Sequence, residues 1–192
     1  MFQENNYKDL EKNIHKYEFK NIKTGVLLIN LGTPESPSTK DVRDYLRQLL
    51  SSNRVIDINP VARWLLLNLF ILQFRPRNSA KAYKKIWLID GSPLLVNSQN
   101  LKKDLLEQLI EEDIHLELGM QCGNPSIKSA LYNLRQKKCD RIIVLPLYPQ
   151  YASSSFGSAI EDVYRENFLI SKNNVSKSVL LSTFFKRSSK IV

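Results

Sequence analysis

Histidine and cysteine are scarce, with two of each among 192 residues. Cys122 and Cys139 match no metal-binding or redox spacing, and His15 and His115 lie far apart in the chain, which argues against a structural zinc site. Neither GxGxxG nor GxxxxGK with a following Ser or Thr occurs after any apolar run, so the usual phosphate cradles are missing and a nucleotide is not the favoured ligand. No internal repeat or low-complexity tract is visible. The first twenty residues, MFQENNYKDLEKNIHKYEFK, have no apolar h-region and mix both charges. They read as a polar tail over residues 1–22 rather than a signal peptide, and the expected compartment is the cytoplasm.

What is present is an ordinary globular composition, 43% hydrophobic and 24% charged, in a chain long enough for one good core and a remainder. Lys and Arg outnumber Asp and Glu by 28 to 19, a net charge of +9 that favours anionic partners. The basic residues form no stripe with interleaved aromatics; the densest cluster is Arg75, Arg77, Lys81, Lys84 and Lys85. A carboxylate-bearing ligand or anionic lipid suits that cluster better than nucleic acid, which is not expected as a partner.

The run GVLLINL, Gly25 to Leu31, is apolar at every position but one and ends at Gly32-Thr33-Pro34, the pattern of a strand buried on both faces. Ser38 or Thr39 can then cap a helix with Val42, Tyr45, Leu46, Leu49 and Leu50 at helical spacing. The alternation continues with a helix from about Ser92 to Glu112, a strand HLELGM, a helix after Asn124-Pro125, a strand RIIVLPLY, a helix from about Ser158 and a strand SVLLSTFF. Such alternation predicts an α/β fold, a mainly parallel sheet with helices on both sides, whose ligands sit at the carboxyl ends of the strands.

One segment breaks the rhythm. WLLLNLFILQF, Trp64 to Phe74, is apolar around nearly the whole helical circumference. A helix of that kind must be buried, or must meet lipid or an apolar ligand, and eleven residues are too few for the roughly 20 that span a bilayer. Two readings follow: a core helix, or a lip inserted shallowly into a membrane surface with Trp64, Arg63, Arg75 and Arg77 at the headgroups.

Five motifs stand in order: GVLLINLGTPESPSTKDVRDYLRQLL, RPRNSAKAYKKIW, GSPLLVNSQ, LGMQCGNPSI and VLPLYPQYASSSFGS. Together, from about Lys23 to about Phe185, they resemble the N-terminal part of ferrochelatase, the enzyme that inserts ferrous iron into protoporphyrin IX. The resemblance implies the first of two Rossmann-like, chelatase-like lobes over residues 23–170, with a hydrophobic lip at about 60–76 formed by Trp64, Leu67, Phe70 and Phe74. It implies a porphyrin-propionate site made of Arg75, Tyr83 and Ser92, and a ring contact at Leu31. Tyr148 and Tyr151 would form one wall of the cleft, and Ser153 to Ser155 a polar turn leading to the next helix. A guanidinium with two hydroxyl donors suits an acceptor-only carboxylate. Taken singly, the same residues also read as a surface charge, an amphipathic helix tyrosine, a helix cap, a core leucine and packing phenols.

The chain departs from its relatives where many have Arg-Tyr and it has Gln121-Cys122. Ser153 stands where some relatives have a cluster-binding cysteine, so no iron–sulfur cluster and no resident cofactor are expected; ferrous iron is substrate. The resemblance also implies that the catalytic histidine, in a Ser-x-His-Gly segment, and its carboxylate partner belong to the second half of such enzymes. No catalytic or metal-ligating residue is therefore expected in this chain, and residues 171–192 read as a truncated start of the next segment, with a frame lost near Lys186. The expected partners are protoporphyrin IX, a membrane surface contacted peripherally at its inner face, and a second-lobe fragment. A non-catalytic porphyrin- or haem-binding module and a vestigial product are the alternatives.

Overall fold

The computed structural model describes residues 23–109, 114–171 and 179–180. Its centre is strand β1, Thr24–Gly32. Leu27, Leu28 and Ile29 are wholly buried, so both faces of the strand are covered, as the unbroken apolar run predicts. β1 pairs in parallel with β2, Ile114–Cys122, on one side and with β3, Arg141–Pro146, on the other; β4, Val179–Leu180, pairs in parallel with β3. The strand order β2-β1-β3-β4 means that the chain steps from β1 to β2 and then back across β1 to β3. Such a reversal is a topological switch point, where a parallel sheet opens a crevice at the carboxyl ends of its strands.

Helix α1, Thr39–Leu50, follows β1, and Ser38 is its cap, accepting from the Asp41 backbone N–H at 3.1 Å. Next come α2, Pro60–Leu65, a π-helical stretch Leu66–Ile71, and α3, Leu72–Ile86. Helix α4, Pro93–Gln108, precedes β2; α5, Ile127–Gln136, precedes β3; a π-helical turn, Ser153–Gly157, leads into α6, Ser158–Ser171. On one face of the sheet Leu27, Ile29 and Val144 pack with Leu131 and Leu134 of α5 and Ala159 and Val163 of α6. On the other, Leu28, Leu116, Leu118 and Met120 meet Leu95 and Leu105 of α4. Each fully buried leucine or isoleucine contributes roughly 1.5–3 kcal/mol, so both faces are needed to hold β1 in place.

A third cluster joins α1 to α3 through Val42, Tyr45, Leu46, Leu50, Leu67, Leu72 and Ala80, with Cys122 beneath. This corrects the expected lip. Leu67 is only 4% exposed and belongs to that core, whereas Trp64, Phe70 and Phe74 lie open. The segment is apolar on all sides, so sequence could not tell its inner face from its outer one. Pro76 lies inside α3 without breaking it. The carbonyl of Leu72, which a proline at position 76 cannot serve, instead accepts from Arg43 Nε at 3.1 Å.

Two boundaries differ from expectation. Strand β3 ends at Pro146 rather than Tyr148, although the Leu147 N–H still donates to the Ile29 carbonyl at 2.7 Å. Helix α4 ends at Gln108, and Glu112 lies outside the described residues. Of SVLLSTFF, Val179–Leu180 are in strand; the remainder lies outside the described residues, as do the tail with His15 and the segment near Lys186.

Candidate functional site

At the carboxyl ends of β1 and β2 lies a cavity of about 340 Å³. Leu31 of β1 and Gln121 and Cys122 of β2 contribute to its lining. One bank is the segment after α1, with Ser52, Asn53 and Val55; the other is the start of α6, with Ser158, Glu161 and Asp162. The site is therefore at the switch point that the strand order creates.

Two glycines make the strand ends meet. At Gly32, where φ is +96°, a Cβ would stand 1.8 Å from the Cys122 carbonyl oxygen; at Gly123, where φ is +91°, it would stand 2.5 Å from the Thr33 carbonyl oxygen. The two loops cross backbone to backbone, and only glycine fits at either position. Gln48 of α1 fixes the crossing, its side-chain oxygen accepting from the Gly123 N–H at 2.9 Å.

Behind the lining runs a polar chain. The Tyr148 hydroxyl donates to Gln121 Oε1, Gln121 Nε2 donates to Asp162 Oδ2 at 3.3 Å, and Arg165 donates to the other oxygen of Asp162. Burial holds the Tyr148 phenol above its usual range, with Cys122 and Asp162 adding to the effect. Burial likewise pushes the Cys122 thiol from 9.0 up to about 11, again with Asp162 contributing. At neutral pH both groups are thus protonated and uncharged, and Cys122 is a small apolar wall rather than a nucleophile. Among the described residues no group of three or more His, Cys, Asp and Glu is placed to hold a metal ion.

The residues expected from sequence fall in three places. Leu31 lines the cavity, and Tyr148 stands one hydrogen bond behind Gln121. Tyr151 is exposed, its ring 5.5 Å from that of Phe156. Tyr83 is half-buried between Tyr45 and Trp87, edge-on to both at 6.3 and 6.1 Å. Arg75, on the same helix, is exposed, about 12 Å along the axis from Tyr83 at 1.5 Å per residue. Ser92 is 2% exposed and caps α4, accepting from the Leu95 N–H at 3.2 Å. It is buried, and its oxygen is engaged as the cap. Arg75, Tyr83 and Ser92 do not line the cavity.

Arg63 lines the cavity, and the segment around it presents Val61, Trp64, Leu69, Phe70 and Phe74, with Phe74 72% exposed and Arg75 and Arg77 following it in sequence. No helix among the described residues is long and apolar enough to cross a membrane. Sequence reasoning missed Arg54, which bonds Glu161 on the opposite bank of the cavity. The signal available was weak: a polar SSNR stretch between two apolar helices.

The sequence model of the family described as Ferrochelatase matches residues 23–189. Ferrochelatase of Coxiella burnetii (strain RSA 493 / Nine Mile phase I) is 48% identical over 166 residues, which are 86% of this chain and 45% of that protein. Ferrochelatase of Methylobacillus flagellatus is 49% identical over 146 residues, 74% of this chain and 42% of that protein. Ferrochelatase of Chromobacterium violaceum is 47% identical over 146 residues, with shares of 74% and 40%. The chain thus spans less than half the length of these relatives.

Proposed function

The chain belongs to the ferrochelatase family, and from that premise we propose that it serves haem biosynthesis as the porphyrin-binding first lobe of a lyase that inserts ferrous iron into protoporphyrin IX. The observation that carries this reading is a juxtaposition. An apolar strand end, Leu31, opens at the switch point of the sheet, and an exposed apolar lip with adjacent arginines lies alongside. A flat apolar macrocycle with two carboxylate arms needs both kinds of surface.

In this reading Leu31 packs on the ring. Arg75 meets a propionate with a charge-assisted bond, the kind about twice as strong as a neutral one, and the Tyr83 hydroxyl assists. Ser92 contributes indirectly, by fixing the first turn of α4. Tyr148 and Tyr151 form the wall beyond Leu31; the Tyr148 hydroxyl, tied to Gln121, holds that wall at a set depth. Trp64, Phe70 and Phe74 rest in the headgroup region of an anionic membrane surface, with Arg75 and Arg77 at the phosphates. The protein works in the cytoplasm, peripheral to the inner membrane face. Iron is substrate, and no cofactor is resident.

Among the described residues the base that accepts the pyrrole protons has no histidine candidate: His115 sits at the start of β2, at the far end from the cavity. A second lobe, supplied on the same or a separate polypeptide, provides it. The test is fluorescence titration of the chain with a soluble porphyrin dicarboxylate, then assay of iron insertion after co-expression with the second half of a relative. Saturable binding with insertion only in the co-expressed pair supports the reading. Binding without insertion in either case assigns the chain to a porphyrin-binding module, and no binding at all overturns both.

A further inference from the structure

The cavity has two banks, and one side chain joins them. Arg54, in the segment between α1 and α2, donates from Nε to Glu161 Oε2 at 2.5 Å and from Nη1 to Ser153 Oγ at 3.0 Å. Its partners are 107 and 99 residues away in sequence. Among hydrogen bonds between described residues, these two are the ones that link the 51–58 segment to the 153–165 segment.

The local sequence makes room for this fork. Gly157 has an ordinary negative-φ backbone, so it is not there for conformational freedom. A Cβ on it would lie 3.3 Å from Arg54 Nη1 and 3.6 Å from the Tyr151 hydroxyl oxygen. The guanidinium lies against the π-helical turn, where a side chain at 157 would press on it. Ser52, Asn53 and Val55 on one side and Ser154, Ser158 and Glu161 on the other line the cavity, so the Arg54 fork ties the segment of one bank to that of the other. Arg54 also lies directly before the segment leading to the exposed lip.

We propose that Arg54 is a positioning residue that clamps the lip-bearing segment to the serine turn of α6 and so sets the width of the cleft. The functional part rests on the porphyrin reading; the clamp itself does not. A planar fork is required, because two acceptors on different backbone segments must be met at once, and a lysine ammonium offers a point charge with no fixed second donor. Both partners are partly exposed, with side chains 36% and 53% accessible, so salt screens the pair and the clamp loosens as ionic strength rises.

Two measurements on the full chain test this. In amide hydrogen exchange, Arg54→Ala raises exchange in both the 51–58 and the 153–158 segments by up to about fivefold, the range for losing a partly exposed ion pair. Exchange in β1 stays unchanged. Arg54→Lys gives most of the effect, and the charge-exchanged pair Arg54→Glu with Glu161→Arg returns it toward wild type. Gly157→Val, which displaces the guanidinium without removing a charge, gives the same joint rise and stands in should Arg54→Ala fail to fold. A rise confined to 51–58, or none, overturns the clamp.

In stopped-flow binding of deuteroporphyrin IX, a wider mouth makes association and dissociation faster by similar factors in Arg54→Ala, leaving the equilibrium constant little changed. Slower association, or faster dissociation alone, overturns the positioning role, since the latter is what loss of a direct ligand contact produces. A wild-type chain that binds no porphyrin sinks the functional reading and its positioning role, while the exchange result still decides the clamp.

Discussion

Arg43 Nε donates to the carbonyl oxygen of Leu72, the acceptor that Pro76 leaves without a helical N–H. Helix α3 thus tolerates an internal proline because a neighbouring helix replaces the missing donor. The bond also ties α1 to the base of the lip, where Val42, Leu46, Leu67 and Leu72 pack together.

The pair is testable by a double-mutant cycle in urea. Arg43→Ala should cost about 1.5 kcal/mol, the range for a charged donor leaving a part-buried carbonyl unmet. In a Pro76→Ala background, where the backbone at that position supplies its own N–H, the same change should cost less than half as much. Equal costs in both backgrounds would show that Arg43 acts on something other than that carbonyl.

Gly32→Ala should destabilise the chain by at least about 3 kcal/mol, because positive φ and a backbone collision act together. Gly91→Ala is the control: its φ is +126°, but nothing lies within 4 Å of its added Cβ. It should cost only the conformational strain, about 1–2 kcal/mol. Denaturant midpoints of the two variants measure the difference directly.

Cys122 makes stability depend on alkaline pH. Its folded-state value, about 11, lies above the unfolded 9.0, so the folded chain keeps a proton that the unfolded chain gives up. The contribution is fully present below pH 9 and is lost as pH rises toward 11, a span worth roughly 3 kcal/mol. Cys122→Ala should flatten that part of the stability profile. In the native chain at pH 8, alkylation of Cys122 should be slow and should speed up only on unfolding.

Arg75 and Ser92 should separate binding from stability. Arg75→Ala should weaken a porphyrin dicarboxylate by about 1.5–3 kcal/mol with little change in the urea midpoint, since the residue is exposed. Ser92→Ala should lower stability by about 1 kcal/mol through loss of the cap and shift affinity far less. An affinity unaltered by Arg75→Ala would end the propionate assignment.

The lip divides in the same way. Phe70→Ser with Phe74→Ser should reduce co-sedimentation with anionic liposomes and leave the fold intact, because both rings are exposed. Leu67→Ala should instead cost about 2–5 kcal/mol of stability. Liposome binding that survives the double substitution would assign these rings to another surface.

Much of the architecture could be read in the sequence because it rests on local patterns. An apolar run such as GVLLINL suits a strand covered on both sides, and Ser38 and Ser92 each cap the helix that follows. The site was less legible. Leu31 could be placed at a strand end, but the link from Tyr148 to Gln121 joins residues 27 apart, and Arg54 reaches across 107. Neither follows from any periodicity. In the lip, uniform apolarity hid which residues turn inward, and Pro76 would by itself have suggested a break that Arg43 prevents.

The π-helical stretch Leu66–Ile71 has a consequence for how this protein can change. Its bonding reaches back five residues, as in the Leu72 N–H to Leu67 carbonyl bond, where an α-helix reaches back four. Such a turn holds one residue more than its α-helical counterpart. Removing a single residue between Leu66 and Ile71 would let the turn close as α-helix while keeping Trp64 before it and Phe74 after it in phase. The lip can therefore gain or lose length by one-codon steps, and its tip can evolve while the helices that flank it stay in register with the core.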